Sequence, residues 1–193
     1  MKNQTAIIDR TAVPLEGELN LLELCRKAGI ELPTFCYHSE ISVYGACRMC
    51  MVEVEGRGIV PACSTRAEDG MVIHTNTKQI RNMRKMIIEL MLASHSQSCT
   101  TCPKSEDCRL QSIAKQLNVT DVRFKQMNRM EPIDYSSDAT LRDPSKCILC
   151  GDCVRVCDEI QSVGALGFAY RGAKAHVGTG DPRHNLRHVG AGR

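Results

Sequence analysis

The sequence predicts an α+β fold assembled from small successive units. Two observations carry that expectation. Residues 1–76 alternate short strand and helix signals, and the residues after them switch to helical periodicity. Eleven of the twelve cysteines fall into three groups instead of evenly spread pairs, which is how metal ligands are arranged.

Each element follows in order. "QTAIID" at 4–9 reads as a strand, and "TAVPLE" as a second one with Pro14 at a sheet edge. "NLLELCRKAG" reads as a helix with Asn20 as N-cap and Gly29 just past its end. Cys25 falls beside its apolar face and reads as a small buried hydrophobe that ligates nothing. "CMVEVEGRGIVPAC" alternates, turns at Gly56 and Gly58, and predicts a hairpin that separates Cys50 from Cys63. "MVIHT" adds a strand, and a first domain closes at 76. That order of elements fits a small ferredoxin-like domain.

"TKQIRNMRKMIIELMLASH" then places Ile80, Met83, Ile87, Leu90 and Met91 at helical spacing. Its methionines read as core filler. "SEDCRLQSIAKQL" predicts another helix with Ser105 as N-cap and Leu110, Ile113 and Leu117 inward. The expected divisions are 1–76, a helical domain at 77–118, a connector at 119–144, a partial unit at 145–170, and a basic glycine-rich tail at 171–193.

Composition narrows the classes. Three phenylalanines, four tyrosines and no tryptophan leave few large core anchors. A chain this rich in thiols is expected to gain stability from bound metal. No signal-peptide h-region follows Met1, and no apolar run has the length of a membrane span. The expectation is therefore a cytoplasmic chain, whose clustered thiols are ligands and not disulfides. The net charge of +3 is concentrated in the tail, where five Lys/Arg face one Asp from Arg171 onward. No basic stripe or aromatic platform suits a nucleic acid.

The first group, Cys36, Cys47, Cys50 and Cys63, is spaced C-x10-C-x2-C-x12-C. A [2Fe–2S] cluster needs two thiolates on each iron, and a tight pair with two outliers supplies them. Gly45 and Ala46, just before Cys47, let backbone amides approach the sulfurs. The plant-type first spacing of four residues is absent. Structural zinc uses the same four thiolates, and residue chemistry alone leaves it open. The second group, His95, Cys99, Cys102 and Cys108, is spaced H-x3-C-x2-C-x5-C. A lone histidine at a helix end is ordinarily a surface or capping residue. Three neighbouring thiols leave a four-ligand cluster one donor short, which favours His95 as a ligand. The third group, Cys147, Cys150, Cys153 and Cys157, is C-x2-C-x2-C-x3-C, a run whose fourth cysteine ligates the other cluster in two-cluster ferredoxins.

"LPTFCYHSEISVYGACRMCMVEVEG" followed by "PACSTRAEDGMVI" resembles the N-terminal [2Fe–2S] domain of an electron-input module. That module is shared by iron-only hydrogenases, the large iron–sulfur subunit of respiratory complex I, and NAD-linked hydrogenase and formate dehydrogenase subunits. The run from Arg84 to Cys108, "RKMIIELMLASHSQSCTTCPKSEDC", is similar to its second domain, and "CILCGDCVRVCDEIQSVGALGF" to its third. The resemblance spans about residue 4 to Gly172. It implies a β-grasp [2Fe–2S] domain, a helical [4Fe–4S] domain with one histidine and three cysteine ligands, and a partial bacterial-ferredoxin-like segment. His95 is then a cluster ligand with Cys99, Cys102 and Cys108. A further [4Fe–4S] cluster on the third group remains open, because no cysteine follows Cys157. Its fourth ligand would be Cys157, Asp158, His176, His184 or His188; otherwise the unit holds no complete cluster.

No G-x-G-x-x-G after a strand, no P-loop and no Ser/His/Asp arrangement is present in the sequence. The functional expectation is an iron–sulfur electron-transfer subunit of an oxidoreductase complex, with no substrate site of its own. Its expected partners are a flavin- and NAD(P)H-binding subunit and other iron–sulfur subunits. The alternatives are a structural zinc or assembly module and a thiol redox protein using C-x2-C pairs.

Overall fold

Thr5–Ile8 (β1) turns back through Asp9 and Arg10, both at positive φ, into Thr11–Pro14 (β2). Two consecutive left-handed residues give the turn twist that antiparallel partners need, and Ile7 pairs with Ala12. The fold is known from a computed structural model, which describes residues 4–125, 132–135 and 141–179.

Leu21–Lys27 (α1) begins where expected. The Asn20 side chain accepts from the Glu23 amide at 3.0 Å, satisfying a donor that the first turn leaves orphaned. Gly29 ends the helix at φ +75, with its amide on the Arg26 carbonyl. Leu21, Leu22, Leu24 and Cys25 face inward and are fully buried, while Glu23, Arg26 and Lys27 mark the other side. Burying each leucine is worth about 1.5–3 kcal/mol.

Met51–Val54 (β3) and Gly58–Pro61 (β4) form the expected hairpin, Val52 opposite Val60. Val72–His74 (β5) then runs parallel to β1 and antiparallel to β3. The sheet order is β2-β1-β5-β3-β4. A mixed sheet with a central parallel pair and a helix on its apolar face is the β-grasp arrangement expected of this domain. Pro14 lies in an edge strand, where its missing N–H costs no ladder bond. The core joins Ala6, Ile8, Val52, Val54 and Ile73 to the α1 leucines.

Cys25 belongs to that core, and burial pushes its thiol up to about 12. It stays protonated, unlike a ligand thiolate. Cys25→Ala is therefore expected to cost about 1–2 kcal/mol of stability and to leave the iron content unchanged. Iron loss from that variant, measured on anaerobically reconstituted protein, would count against this reading.

Lys78–Ala93 (α2) starts with the Thr77 hydroxyl accepting from Ile80 N at 3.3 Å. Its buried stripe differs from the expected one. Ile80, Arg84, Ile88 and Glu89 are buried, whereas Leu90 is 44% exposed. Two charged residues share the buried face because each has a polar partner: carbonyls for Arg84, and the Arg123 guanidinium at 2.6 Å for Glu89. Arg109–Gln116 (α3) starts later than expected, with Cys108 and not Ser105 as the N-cap residue. Glu106 takes φ +76, which breaks any helical path from Ser105. Leu110 and Ile113 are buried as anticipated.

The chain divides into two units. One comprises Met1–Tyr37, Val43–Ile88 and Cys108–Thr120, and the other His38–Ser42, Glu89–Asp107 and Asp121–Arg193. The second unit contains Asp152–Arg155 (α4), which continues into a π-helical turn at Val156–Ile160. Leu166–Ala169 (β6) pairs antiparallel with His176–Thr179 (β7). The start of the glycine-rich tail is thus part of a hairpin: backbone pairing needs no apolar composition. His184 and His188 lie outside the described residues. The connector carries one isolated bridge, Asp134 to Arg142, closed by an ion pair of 3.0 Å. No helix among the described residues is long and apolar enough to cross a membrane.

Candidate metal centres

The β3–β4 hairpin closes the twelve-residue gap of the first cysteine group. Met51 lies opposite Pro61, so Cys50 and Cys63 meet at the same end of the ladder. The Ala62 amide donates to the Cys50 carbonyl at 3.1 Å. Cys63 sits in the 3-10 turn Ala62–Ser64 directly after β4. The loop before β3 is bent by Gly45 at φ +67 and Arg48 at φ +56, and it brings Cys47 to Cys36. The Cys47 amide donates to Cys36 Sγ and the Phe35 amide to Cys47 Sγ, both at 3.4 Å. The Met49 amide also faces Cys47, and the amides of Ala62 and Cys63 face Cys50.

The four thiols therefore stand as two buried pairs, Cys36 with Cys47 and Cys50 with Cys63. Within each pair one thiol yields its proton more readily. The bond from Cys36 holds Cys47 down to about 5, and the bond from Cys63 holds Cys50 down to about 7. The partners Cys36 and Cys63 are pushed up by the same two bonds and by burial. Two pairs lined by amide donors fit a [2Fe–2S] group, which takes two thiolates per iron and draws N–H donors to its sulfurs. A single zinc ion needs all four sulfurs on one centre.

The second group follows α2. His95 lies two residues beyond Ala93, half-buried, with its amide on the Leu92 carbonyl at 3.2 Å. Cys99 opens a 3-10 turn, Cys99–Thr101, and the Cys102 amide returns to the Cys99 carbonyl at 3.2 Å. Ser96 N donates to Ser145 O at 2.7 Å, tying this loop to the turn before Cys147. Cys108 is the N-cap residue of α3, yet its thiol makes no cap bond. His95, Cys99 and Cys102 belong to the second unit and Cys108 to the first.

In the third group, Cys147 caps the 3-10 turn Pro144–Lys146, and Leu149 N approaches its sulfur at 3.4 Å. Leu149 and Gly151, at φ +58 and +77, coil the backbone around this run. Cys150 is pushed up chiefly by burial and then by Asp152, Cys153 and Cys147, and Cys153 chiefly by burial and then by Cys147 and Asp152. Those three thiols are thus neighbours. Cys157 is buried on the π-helical turn, and its carbonyl accepts from Val163 and Gly164. His176 stands on β7, its Nδ1 3.3 Å from the Lys174 carbonyl and its ring 5.4 Å from Tyr170.

The contacts of three polar residues escaped sequence reasoning, although Arg84 opens the run that resembles the second domain. Arg84 Nε donates to the Met49 carbonyl at 3.0 Å, and its Nη2 to the Met51 carbonyl at 2.9 Å. Arg155 donates to the Ser42 carbonyl, and Glu159 accepts from the Ser42 amide at 2.6 Å. The one available signal was a charge at i+4 in the stripe of Ile80 and Ile88.

Comparisons with known proteins fall on the same regions. Residues 5–78 match a 2Fe-2S iron-sulfur cluster binding domain. Residues 84–123 match the NADH-ubiquinone oxidoreductase-G iron-sulfur binding region. The chain is 36% identical over 176 residues to the G-2 subunit of the NADH-quinone oxidoreductase of Rhizobium meliloti, covering 88% of this chain and 20% of that protein. It is 34% identical over 173 residues to the HndD subunit of the NADP-reducing hydrogenase of Solidesulfovibrio fructosivorans, covering 86% and 29%. A chain from the crystal structure of an NAD+-reducing [NiFe]-hydrogenase in the H2-reduced state superposes with a TM-score of 0.87 at 30% identity, over 95% of this chain and 77% of that one.

These matches, laid over the paired thiols, define an iron–sulfur protein whose cofactors are a [2Fe–2S] and a [4Fe–4S] cluster. The chain belongs to the iron–sulfur family that holds the G-type subunits of NADH-quinone oxidoreductase and the corresponding subunits of NAD(P)-reducing hydrogenases. It spans 20% and 29% of the length of these two curated relatives.

Proposed function

We propose that the chain relays single electrons within a hetero-oligomeric oxidoreductase. A flavin- and NAD(P)H-binding subunit stands on one side, and a catalytic or ferredoxin-reducing partner on the other. The observation that carries this reading is the double thiol pair at Cys36/Cys47 and Cys50/Cys63, buried and lined with amides. These four hold the [2Fe–2S] cluster, which supplies one-electron chemistry when bound. The surrounding amides stabilise sulfur charge, and burial excludes water. His95, Cys99, Cys102 and Cys108 hold the [4Fe–4S] cluster. A further [4Fe–4S] cluster on Cys147, Cys150 and Cys153 needs a fourth donor, for which the candidates are Cys157, Asp158, His176, His184 and His188.

The two curated relatives are subunits of an NADH-quinone oxidoreductase and an NADP-reducing hydrogenase. That supports a nicotinamide-linked complex, and the clustered thiols support a reducing compartment such as the cytoplasm. Purified alone, the reconstituted chain should accept electrons from dithionite yet fail to oxidise NADH with an artificial acceptor. Steady NADH oxidation by the isolated chain at enzyme-like rates, in the usual range of about 1–1000 per second, would refute the partner requirement.

A further inference from the structure

We infer that Arg84 is a positioning residue for the [2Fe–2S] centre: its guanidinium clamps the backbone on both sides of Cys50 and raises the centre's reduction potential. The inference rests on Cys36, Cys47, Cys50 and Cys63 being the ligands of that centre.

Arg84 is 7% exposed, on the buried stripe of α2 between Ile80 and Ile88. A guanidinium is not buried without partners, because losing its water is costly. Here Nε reaches Met49 O at 3.0 Å and Nη2 reaches Met51 O at 2.9 Å. The two carbonyls belong to the residues immediately before and after Cys50. A planar fork with two donors on two carbonyls fixes the peptide planes between them, and hence where the Cys50 sulfur points. Lysine cannot reproduce this, since its ammonium is a single point on a flexible stem. Met49 itself is fully buried, so the clamped segment has no water to replace those bonds.

The charge has a second consequence. Two ferric ions, two sulfides and four thiolates sum to a net charge of about −2, and one-electron reduction takes it to about −3. A fixed cation in a poorly screened interior favours the more negative state. Burial weighs against the Arg84 charge, and the neighbouring thiols Cys50 and then Cys25 favour it; of these two only Cys50 is among the proposed ligands. The hydrogen bonds of Arg84 to Met49 and Met51 go to neutral carbonyls and not to a carboxylate, so its charge would remain available to a cluster held by Cys50. Arg84 therefore both holds a ligand in place and makes the reduced form easier to reach.

Two variants of the reconstituted chain separate the roles. Arg84→Met removes charge and fork; Arg84→Lys keeps the charge and loses the fork. The readouts are an EPR-monitored redox titration of the rhombic [2Fe–2S] signal and the rate of iron release to a chelator. Arg84→Met should shift the reduction equilibrium about tenfold towards the oxidised form, 59 mV for one electron. Arg84→Lys should hold the potential within a factor of about two while releasing iron several-fold faster. Wild-type potential and release rate in Arg84→Met would overturn the inference. If Arg84→Met assembles no cluster, Arg84→Lys decides: release at the wild-type rate overturns the clamp. A wild-type chain that forms no [2Fe–2S] signal would instead defeat the ligand assignment on which the inference stands.

Discussion

Cys47→Ser is expected to abolish the rhombic signal of the reduced [2Fe–2S] centre while the [4Fe–4S] signal persists. Cys47 is 9% exposed, and its sulfur is bonded to the Cys36 thiol and to backbone amides from Phe35 and Met49. Those bonds hold its pKa down to about 5, so it is ready to bind iron as a thiolate near neutral pH. Serine replaces it with a shorter, harder oxygen that deprotonates far less easily. Loss of an outer hydrogen-bond partner alone typically costs 10–100-fold in metal affinity, and loss of a ligand should cost at least on that order. EPR of the dithionite-reduced variant, with iron analysis, reads the effect. An unchanged rhombic spectrum would remove Cys47 from the ligand set.

His95 carries the second large effect. His95→Ala should yield a labile [4Fe–4S] or a [3Fe–4S] centre, because one iron loses its protein donor. His95→Cys should keep four irons but lower the potential. Imidazole is neutral and thiolate anionic, so the added charge stabilises the oxidised form. Rieske centres set the scale: two such replacements accompany a rise of several hundred mV, so one is worth on the order of 100 mV. A surface or capping histidine would leave the spectrum of both variants unchanged, and that result would exclude it as a ligand.

The residues that sequence reasoning placed well are those with local causes. Asn20 and Gly29 bound α1 through backbone geometry acting within four residues. The hairpin of β3 and β4 turns at Gly56 and Gly58, both at positive φ. Cysteine spacing marked Cys36, Cys47, Cys50 and Cys63 as one group, and the structure brings them together as two pairs.

What escaped depends on distant partners. The Arg84 side chain is buried only because the Met49 and Met51 carbonyls, more than thirty positions earlier, accept from it. Glu89 is likewise buried against a distant partner, the Arg123 guanidinium 34 positions later. The start of α3 moved to Arg109 because Glu106 takes a left-handed conformation, which helix propensity does not foresee. The β6–β7 hairpin pairs Gly167 with Gly178, residues that carry no apolar alternation to announce a strand.

Iron and acid-labile sulfide content of the anaerobically reconstituted chain, with its visible spectrum, tests the central claim most directly. One [2Fe–2S] and one [4Fe–4S] cluster predict about six irons and six sulfides per chain and a brown protein, rising to about ten of each if the third group also assembles a cluster. A colourless protein containing zinc and no labile sulfide would contradict the account.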